Sequence, residues 1–189
     1  IRGLTVSGRL PISAQGGHSA MLVLGIDPGL ATTGYGLVEG DGHRLTPVAY
    51  GVLRTPANMP TADRLVQIHR GLQELLDRYR PQAAAVEELF FATNARTAMV
   101  VGEARGVLLL TLAEAGLSVA EYTPLQVKQS ITGYGQAEKH QVQEMVRLLL
   151  NLPEIPRPAD AADGLAVSIC HHHSSRLNHL VEQAQRERP

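Results

Sequence analysis

Four carboxylates stand where they could share one task. Asp27 ends the apolar run Leu22-Val23-Leu24-Gly25-Ile26, and Glu87 ends Ala83-Ala84-Ala85-Val86. Asp160 and Asp163 lie three residues apart at the start of a long C-terminal apolar stretch. The two short runs read as buried strands, and open α/β sheets bind ligands at the carboxyl ends of such strands. Residues spaced i, i+3 share one face of a helix. Each feature has a plainer reading. Asp27 can cap its own turn through the Gly29 amide, and Asp160 and Asp163 can be charges that favour a helix N-terminus. Taken together they suggest more. Four acids gathered closely repel one another unless divalent cations neutralise them, and oxygen-only ligands suit Mg²⁺ or Mn²⁺. Two such ions about 4 Å apart activate a water and stabilise the leaving oxygen in phosphodiester hydrolysis. Glu88 competes with Glu87. Glu87 is preferred because it directly ends the hydrophobic run, whereas Glu88 faces the opposite way.

The elements that must position these acids follow from periodicity and turn chemistry. Pro28-Gly29 stops the first strand, since proline removes a ladder donor and glycine tolerates positive φ. Residues 32–39 read as a second strand, in which Gly36 allows close backbone approach. Gly40-Asp41-Gly42 is a turn, and 45–53 completes an antiparallel meander. Thr61 opens a helix to about Arg80, with Leu65, Ile68, Leu72, Leu75 and Leu76 on one stripe and Pro81 as its stop. The strand 83–87 follows. Asn94 is the predicted N-cap of an apolar helix over 95–115, in which Gly102 and Gly106 suggest close packing. Gly116 stops it, 117–122 is a strand, and Thr123-Pro124 begins a short helix. Gly133-Tyr134-Gly135 is a hinge or loop, 138–150 a helix, and Pro153, Pro156 and Pro158 a rigid connector. The final helix is predicted over Ala159–His173, followed by a frayed polar tail. This order implies an α/β fold: a mixed five-stranded sheet flanked by helices.

Composition narrows the class. The chain has 189 residues and a formal net charge of −1, which favours one domain with a real core. Residues 1–20 are Gly/Ser-rich and hold Arg2 and Arg9 but no acid. They are expected to be an extension ahead of the natural start at Met21, with the folded domain over 21–174 and a tail over 175–189. Without the extension, 15 basic residues face 18 acidic ones. Bulk charge therefore does not predict a nucleic-acid binder, and any positive surface must be local or supplied by metal. Cys170 is the only cysteine, which excludes a disulfide framework and a multi-cysteine zinc site. No apolar run reaches the roughly 18 residues of a membrane span. The expected setting is the cytoplasm.

In sequence the chain resembles the RuvC family of Holliday-junction resolvases, the bacterial crossover junction endodeoxyribonucleases, over about Met21 to His173. The resemblance rests on Gly25-Ile26-Asp27-Pro28-Gly29 with Thr33-Gly34-Tyr35-Gly36, and on Val86-Glu87-Glu88-Leu89-Phe90. It continues through Asn94-Ala95 with Gly102-Glu103-Ala104-Arg105-Gly106, Gln126-Val127-Lys128-Gln129, Ala137-Glu138-Lys139 and Ala159-Asp160-Ala161-Ala162-Asp163. It implies a ribonuclease H-like fold and a homodimer. It also implies that Asp27, Glu87, Asp160 and Asp163 are the catalytic acids, holding two Mg²⁺ per site with Mn²⁺ as a substitute. The implied reaction cuts two strands of like polarity at symmetric points of a four-way DNA junction. It leaves 5′-phosphate and 3′-hydroxyl ends without a covalent intermediate. The RuvA-RuvB branch-migration complex is the implied partner.

The same resemblance gives roles to residues that are ambiguous alone. Phe90 matches an aromatic that stacks on an unpaired base, where its plain reading is core packing. Phe91 is left undecided. Lys128 and Lys139 match lysines near the active site and DNA backbone, against a plain reading of solvated surface charge. Arg96 and Arg105 are weaker candidates for the same work. His171-His172-His173 invites a metal reading, but consecutive helical residues point in three directions and cannot chelate one ion well. His140 could touch DNA, and Cys170 reads as buried and inert. Two rivals share the Asp-x-Gly start or the fold: an actin-like ATPase or sugar kinase, for which a second matching domain is missing, and a ribonuclease H-like nuclease of another substrate. A non-catalytic junction binder would leave four acids next to a polyanion without purpose.

Overall fold

The structure is a computed structural model that describes residues 20–41, 44–88 and 95–186. Phe90, Phe91, Asn94 and most of the 1–20 extension lie outside the described residues, as do the side chains of Arg96 and of residues 178–189.

Three strands form the antiparallel meander: β1 (Met21–Asp27), β2 (Thr32–Gly40) and β3 (Leu45–Arg54). After α1 (Thr61–Tyr79) the chain returns as β4 (Ala83–Glu87). After α2 (Ala95–Glu114) it returns again as β5 (Ser118–Tyr122). The sheet order is β3-β2-β1-β4-β5. β4 lies parallel to both β1 and β5, so the mixed sheet matches the expectation. Three helices complete the chain: α3 (Pro124–Thr132), α4 (Lys139–Leu149) and α5 (Ala159–Arg186).

Local chemistry explains the boundaries. Arg80 takes a left-handed conformation with φ 49° and closes α1 on the Leu76 carbonyl, just before Pro81. Thr123 and Gln126 form a capping box that starts α3. Glu138 caps α4 with Gln141 rather than serving as its first turn. The departure from expectation is α5, which runs to Arg186 instead of fraying after His173. Its polar C-terminal half holds no Gly or Pro before Pro189, so nothing in the backbone chemistry stops the helix.

Strand alternation divides the core. Leu24 and Ile26 of β1, Leu37 of β2 and Val86 of β4 face α1 and α2, where they meet Ile68, Leu72, Leu75, Leu108 and Leu112. Val23, Val38, Ala83 and Ala85 face the other way, against Val127, Val142, Val146, Leu165 and Ile169 of α3, α4 and α5. Successive side chains of a strand point to opposite faces. Asp27 therefore shares the α5 face with Val23, and Glu87 shares it with Ala83 and Ala85.

The α5 face of the sheet is nearly bare where the helix crosses it. Gly25 pairs with Gly36, and Asp27 with Gly34. A methyl group on Gly25 would lie 2.3 Å from the Gly164 carbonyl oxygen, and one on Gly34 would lie 1.9 Å from the Asp160 carbonyl oxygen. A methyl on Gly36 would meet the Leu165 backbone at 2.5 Å, and one on Gly164 would meet the Tyr35 backbone at the same distance. Backbone thus packs on backbone. Ser168 fixes the depth of the contact by donating from its hydroxyl to the Val23 carbonyl at 3.1 Å.

His171, His172 and His173 of α5 have three different partners. His171 Nδ1 lies 3.0 Å from the Tyr122 hydroxyl, His172 Nε2 lies 3.0 Å from the Val38 carbonyl, and His173 Nδ1 lies 3.1 Å from the Ser130 hydroxyl. They are structural polar contacts rather than one metal site. Cys170 is buried, and burial pushes its thiol up. No helix among the described residues is long and apolar enough to cross a membrane.

Candidate metal centre

The glycine-lined crossing brings the first turn of α5 over the ends of β1 and β4. Carboxylate oxygens of Asp27, Asp160 and Asp163 all lie within 4.8 Å of one another. Glu87 joins from the adjacent strand by a side-chain hydrogen bond to Asp27. It borders the three-residue cluster and is raised by the charge of Asp163 as well. Glu88 is exposed and directed away, its backbone amide bonded to the Tyr122 carbonyl at 2.8 Å. Of the two glutamates, Glu87 is the one on the α5 face of the sheet.

The acids of the site outnumber the cations beside them. Burial, then the charges of Glu87 and Asp163, push the Asp27 carboxyl from 3.8 up to about 8. Burial also raises Glu87, partly offset by the hydrogen bond with Asp27 and by the nearby charges of Lys139 and Lys128. Asp163 is raised by burial too, while Lys139 opposes the shift. Lys139 Nζ donates to Asp163 Oδ2 at 2.7 Å, and that hydrogen bond pushes the lysine up. Four acids this close repel one another, and a multivalent cation would relieve that repulsion. The donors are all oxygen, which fits Mg²⁺ or Mn²⁺ and does not fit a soft-metal site.

The expected DNA-contacting residues are distributed unevenly. Lys139 and Lys128 both stand near the acids, on the N-terminal turn of α4 and on α3. Arg105 has a different role: its guanidinium is ion-paired with Glu121 and ties α2 to β5. Sequence reasoning noticed Gly36 but missed Gly25, Gly34 and Gly164, which set the distance between α5 and the acids. The signal was present as isolated glycines inside two paired strands and a helix.

Comparison with known proteins gives a consistent answer. The family model described as crossover junction endodeoxyribonuclease RuvC matches residues 23–171. The RuvC protein of Syntrophomonas wolfei is 56% identical over 164 residues, covering 87% of this chain and 95% of that protein. The RuvC protein of Heliobacterium modesticaldum is 59% identical over 154 residues, covering 82% and 95%. The structure of Thermus thermophilus RuvC in complex with Holliday junction substrate superposes with a TM-score of 0.80 at 41% identity, covering 84% of this chain and 96% of that one. The fold is accordingly ribonuclease H-like. A yeast mitochondrial Holliday junction resolvase, 14% identical with a TM-score of 0.64 over 87% of this chain and 83% of its own, shares the fold.

Proposed function

The chain belongs to the RuvC family of crossover junction endodeoxyribonucleases, and we propose that it resolves Holliday junctions by metal-dependent nicking of two strands of like polarity, in homologous recombination and DNA repair. The observation that carries the chemistry is the convergence of Asp27, Asp160 and Asp163 within 4.8 Å, with Glu87 beside Asp27.

Asp27, Glu87, Asp160 and Asp163 would hold two Mg²⁺ ions, with Mn²⁺ as a substitute. Bound there, the ions supply a water-derived nucleophile and stabilise the leaving oxygen. The protein's own part is positioning and charge. The carboxyl ends of β1 and β4 fix Asp27 and Glu87, and α5 brings its two aspartates to them as a pair on one helical face. Lys139 and Lys128 give the acidic pocket the local positive charge a phosphate backbone requires. Phe90, in the segment that follows Glu87, is the proposed stacking residue for an unpaired base. Arg105 would contact DNA only by leaving Glu121. No step requires a protein nucleophile.

Symmetric cleavage calls for two copies. The outer face of α2 offers a surface for the second: Met99 and Leu110 are 70% and 58% exposed, and Gly106 meets nothing within 4 Å where a side chain would be. An apolar stripe that leaves its own domain uncovered suits a self-complementary two-fold contact. The RuvA-RuvB branch-migration complex is the proposed partner on the junction, and the cytoplasm the proposed location.

The test is a synthetic four-way junction incubated with Mg²⁺ and either the parent protein or Asp27→Asn. Paired symmetric nicks from the parent, with binding but no nicks from the variant, are expected. Binding without cleavage by both, in Mg²⁺ and in Mn²⁺, would overturn the nuclease reading.

A further inference from the structure

The turn that follows Asp27 is held by a hydrogen-bond network outside the strand ladders. Three consecutive carbonyls of this turn are each occupied. The Thr33 hydroxyl donates to Gly29 O at 2.7 Å, the Thr55 hydroxyl donates to Leu30 O at 2.5 Å, and the Thr55 amide donates to Ala31 O at 3.1 Å. Thr55 follows the last residue of β3, an edge strand that pairs with β2 and not with β1. Its bonds continue the β2–β3 register, in which Thr32 pairs with Arg54, into the turn that links Asp27 to β2. Arg64, in the first turn of α1, donates from Nε into the Thr55 hydroxyl at 2.8 Å.

The direction of the relay is fixed. A hydroxyl has one proton, and Thr55 gives it to Leu30 O while accepting from Arg64. A charged donor polarises that hydroxyl and strengthens its own donation. Thr55 is buried and the Leu30 side chain is in the core between sheet and helices, so water cannot readily replace the bond. Gln67, one turn along α1, donates to Arg54 O at 3.3 Å and holds the helix to the same strand end.

We infer that Thr55 and Arg64 are positioning residues for the metal-binding acid of β1: they lock the Pro28–Ala31 turn from behind, so that Asp27 meets Glu87 and the α5 aspartates in one geometry. The inference rests on the nuclease reading for its effect on cleavage, but its geometric content does not depend on it. Ligand-orienting partners of a metal site are worth about 10–100-fold in metal affinity or activity when removed.

Three variants separate positioning from mere support. Thr55→Val keeps the shape and deletes the hydroxyl, Thr55→Ser keeps the hydroxyl, and Arg64→Met removes the outer donor. We expect Thr55→Val to weaken Mn²⁺ binding, read by electron paramagnetic resonance without DNA, about tenfold. Amide hydrogen exchange across residues 27–33 should quicken by about tenfold. Junction cleavage should lose about tenfold in kcat with KM within about twofold. Thr55→Ser should restore all three to within about twofold of the parent, and Arg64→Met should fall between. A folded Thr55→Val with parental Mn²⁺ affinity and parental exchange overturns the inference. If that variant does not fold, parental Mn²⁺ affinity and exchange in Arg64→Met overturn it instead. Should the parent cleave no junction, the nuclease reading fails, while the Mn²⁺ and exchange measurements still decide the role of Thr55.

Discussion

Replacing Asp27 with asparagine should make the protein more stable while abolishing its activity. The side chains have the same shape, so the change removes charge and little else. A carboxyl raised from 3.8 to about 8 prefers its neutral form in the fold by roughly 6 kcal/mol. The sign follows from the direction. Between pH 4 and 8 the folded protein holds a proton that the unfolded chain has released, so stability without metal falls as pH rises through that window. Glu87 and Asp163 are raised as well and act in the same direction. The figure of roughly 6 kcal/mol is therefore a ceiling shared by coupled acids, and the amide does not reproduce every hydrogen bond. We expect Asp27→Asn to gain about 2–4 kcal/mol at pH 8 in EDTA, and about half of that at pH 6. The assay is urea denaturation of parent and variant at both pH values, with and without 10 mM Mg²⁺. Mg²⁺ should stabilise the parent, which binds it in the folded state, and should stabilise the variant much less. A variant that is no more stable than the parent in EDTA, or a gap that does not change with pH, would refute the electrostatic account of the site.

Other consequences follow from the same geometry. Gly34→Ala places a methyl group 1.9 Å from the Asp160 carbonyl oxygen; the displaced helix should cost about 3 kcal/mol in denaturant titrations and about 100-fold or more in cleavage rate. Lys139→Met removes the counter-charge 2.7 Å from Asp163, so Mn²⁺ affinity without DNA should rise about threefold or more while junction cleavage falls; unchanged or weaker metal binding would show that the ammonium and the cation do not compete. Glu87→Gln should lose at least about 100-fold in cleavage and Glu88→Gln should stay within about twofold, because only the first shares the α5 face of the sheet.

The site was readable in the sequence to the extent that it depends on strand ends and helical spacing. A hydrophobic run ending in an acid marks the carboxyl end of a strand, and the helix that follows the meander returns the chain so that the second such run, β4, lies parallel to the first, β1. The spacing of Asp160 and Asp163 gave their common direction. Pairings that depend on distance in space were not readable. Arg105 looks like a free cation until β5 brings Glu121 to it. Lys139 looks like solvent-facing charge until α4 lies beside Asp163. Thr55 and Arg64 are unremarkable residue types whose importance arises only where the end of β3 and the start of α1 meet the turn after β1. The length of α5 was missed for another reason: polarity predicts exposure, and exposed polar residues form helix as readily as any when no breaker intervenes.

The centre joins the first strand of the domain to its last helix across a seam of glycines. Biosynthesis meets these parts in that order, and a nascent chain acquires Asp27 and Glu87 long before α5 has left the ribosome. Two acids without the α5 pair cannot make the oxygen cage. A chain without α5 therefore holds two of the four acids, and should not cleave DNA even where it binds it. The four acids meet only once the last helix has closed over the first strand.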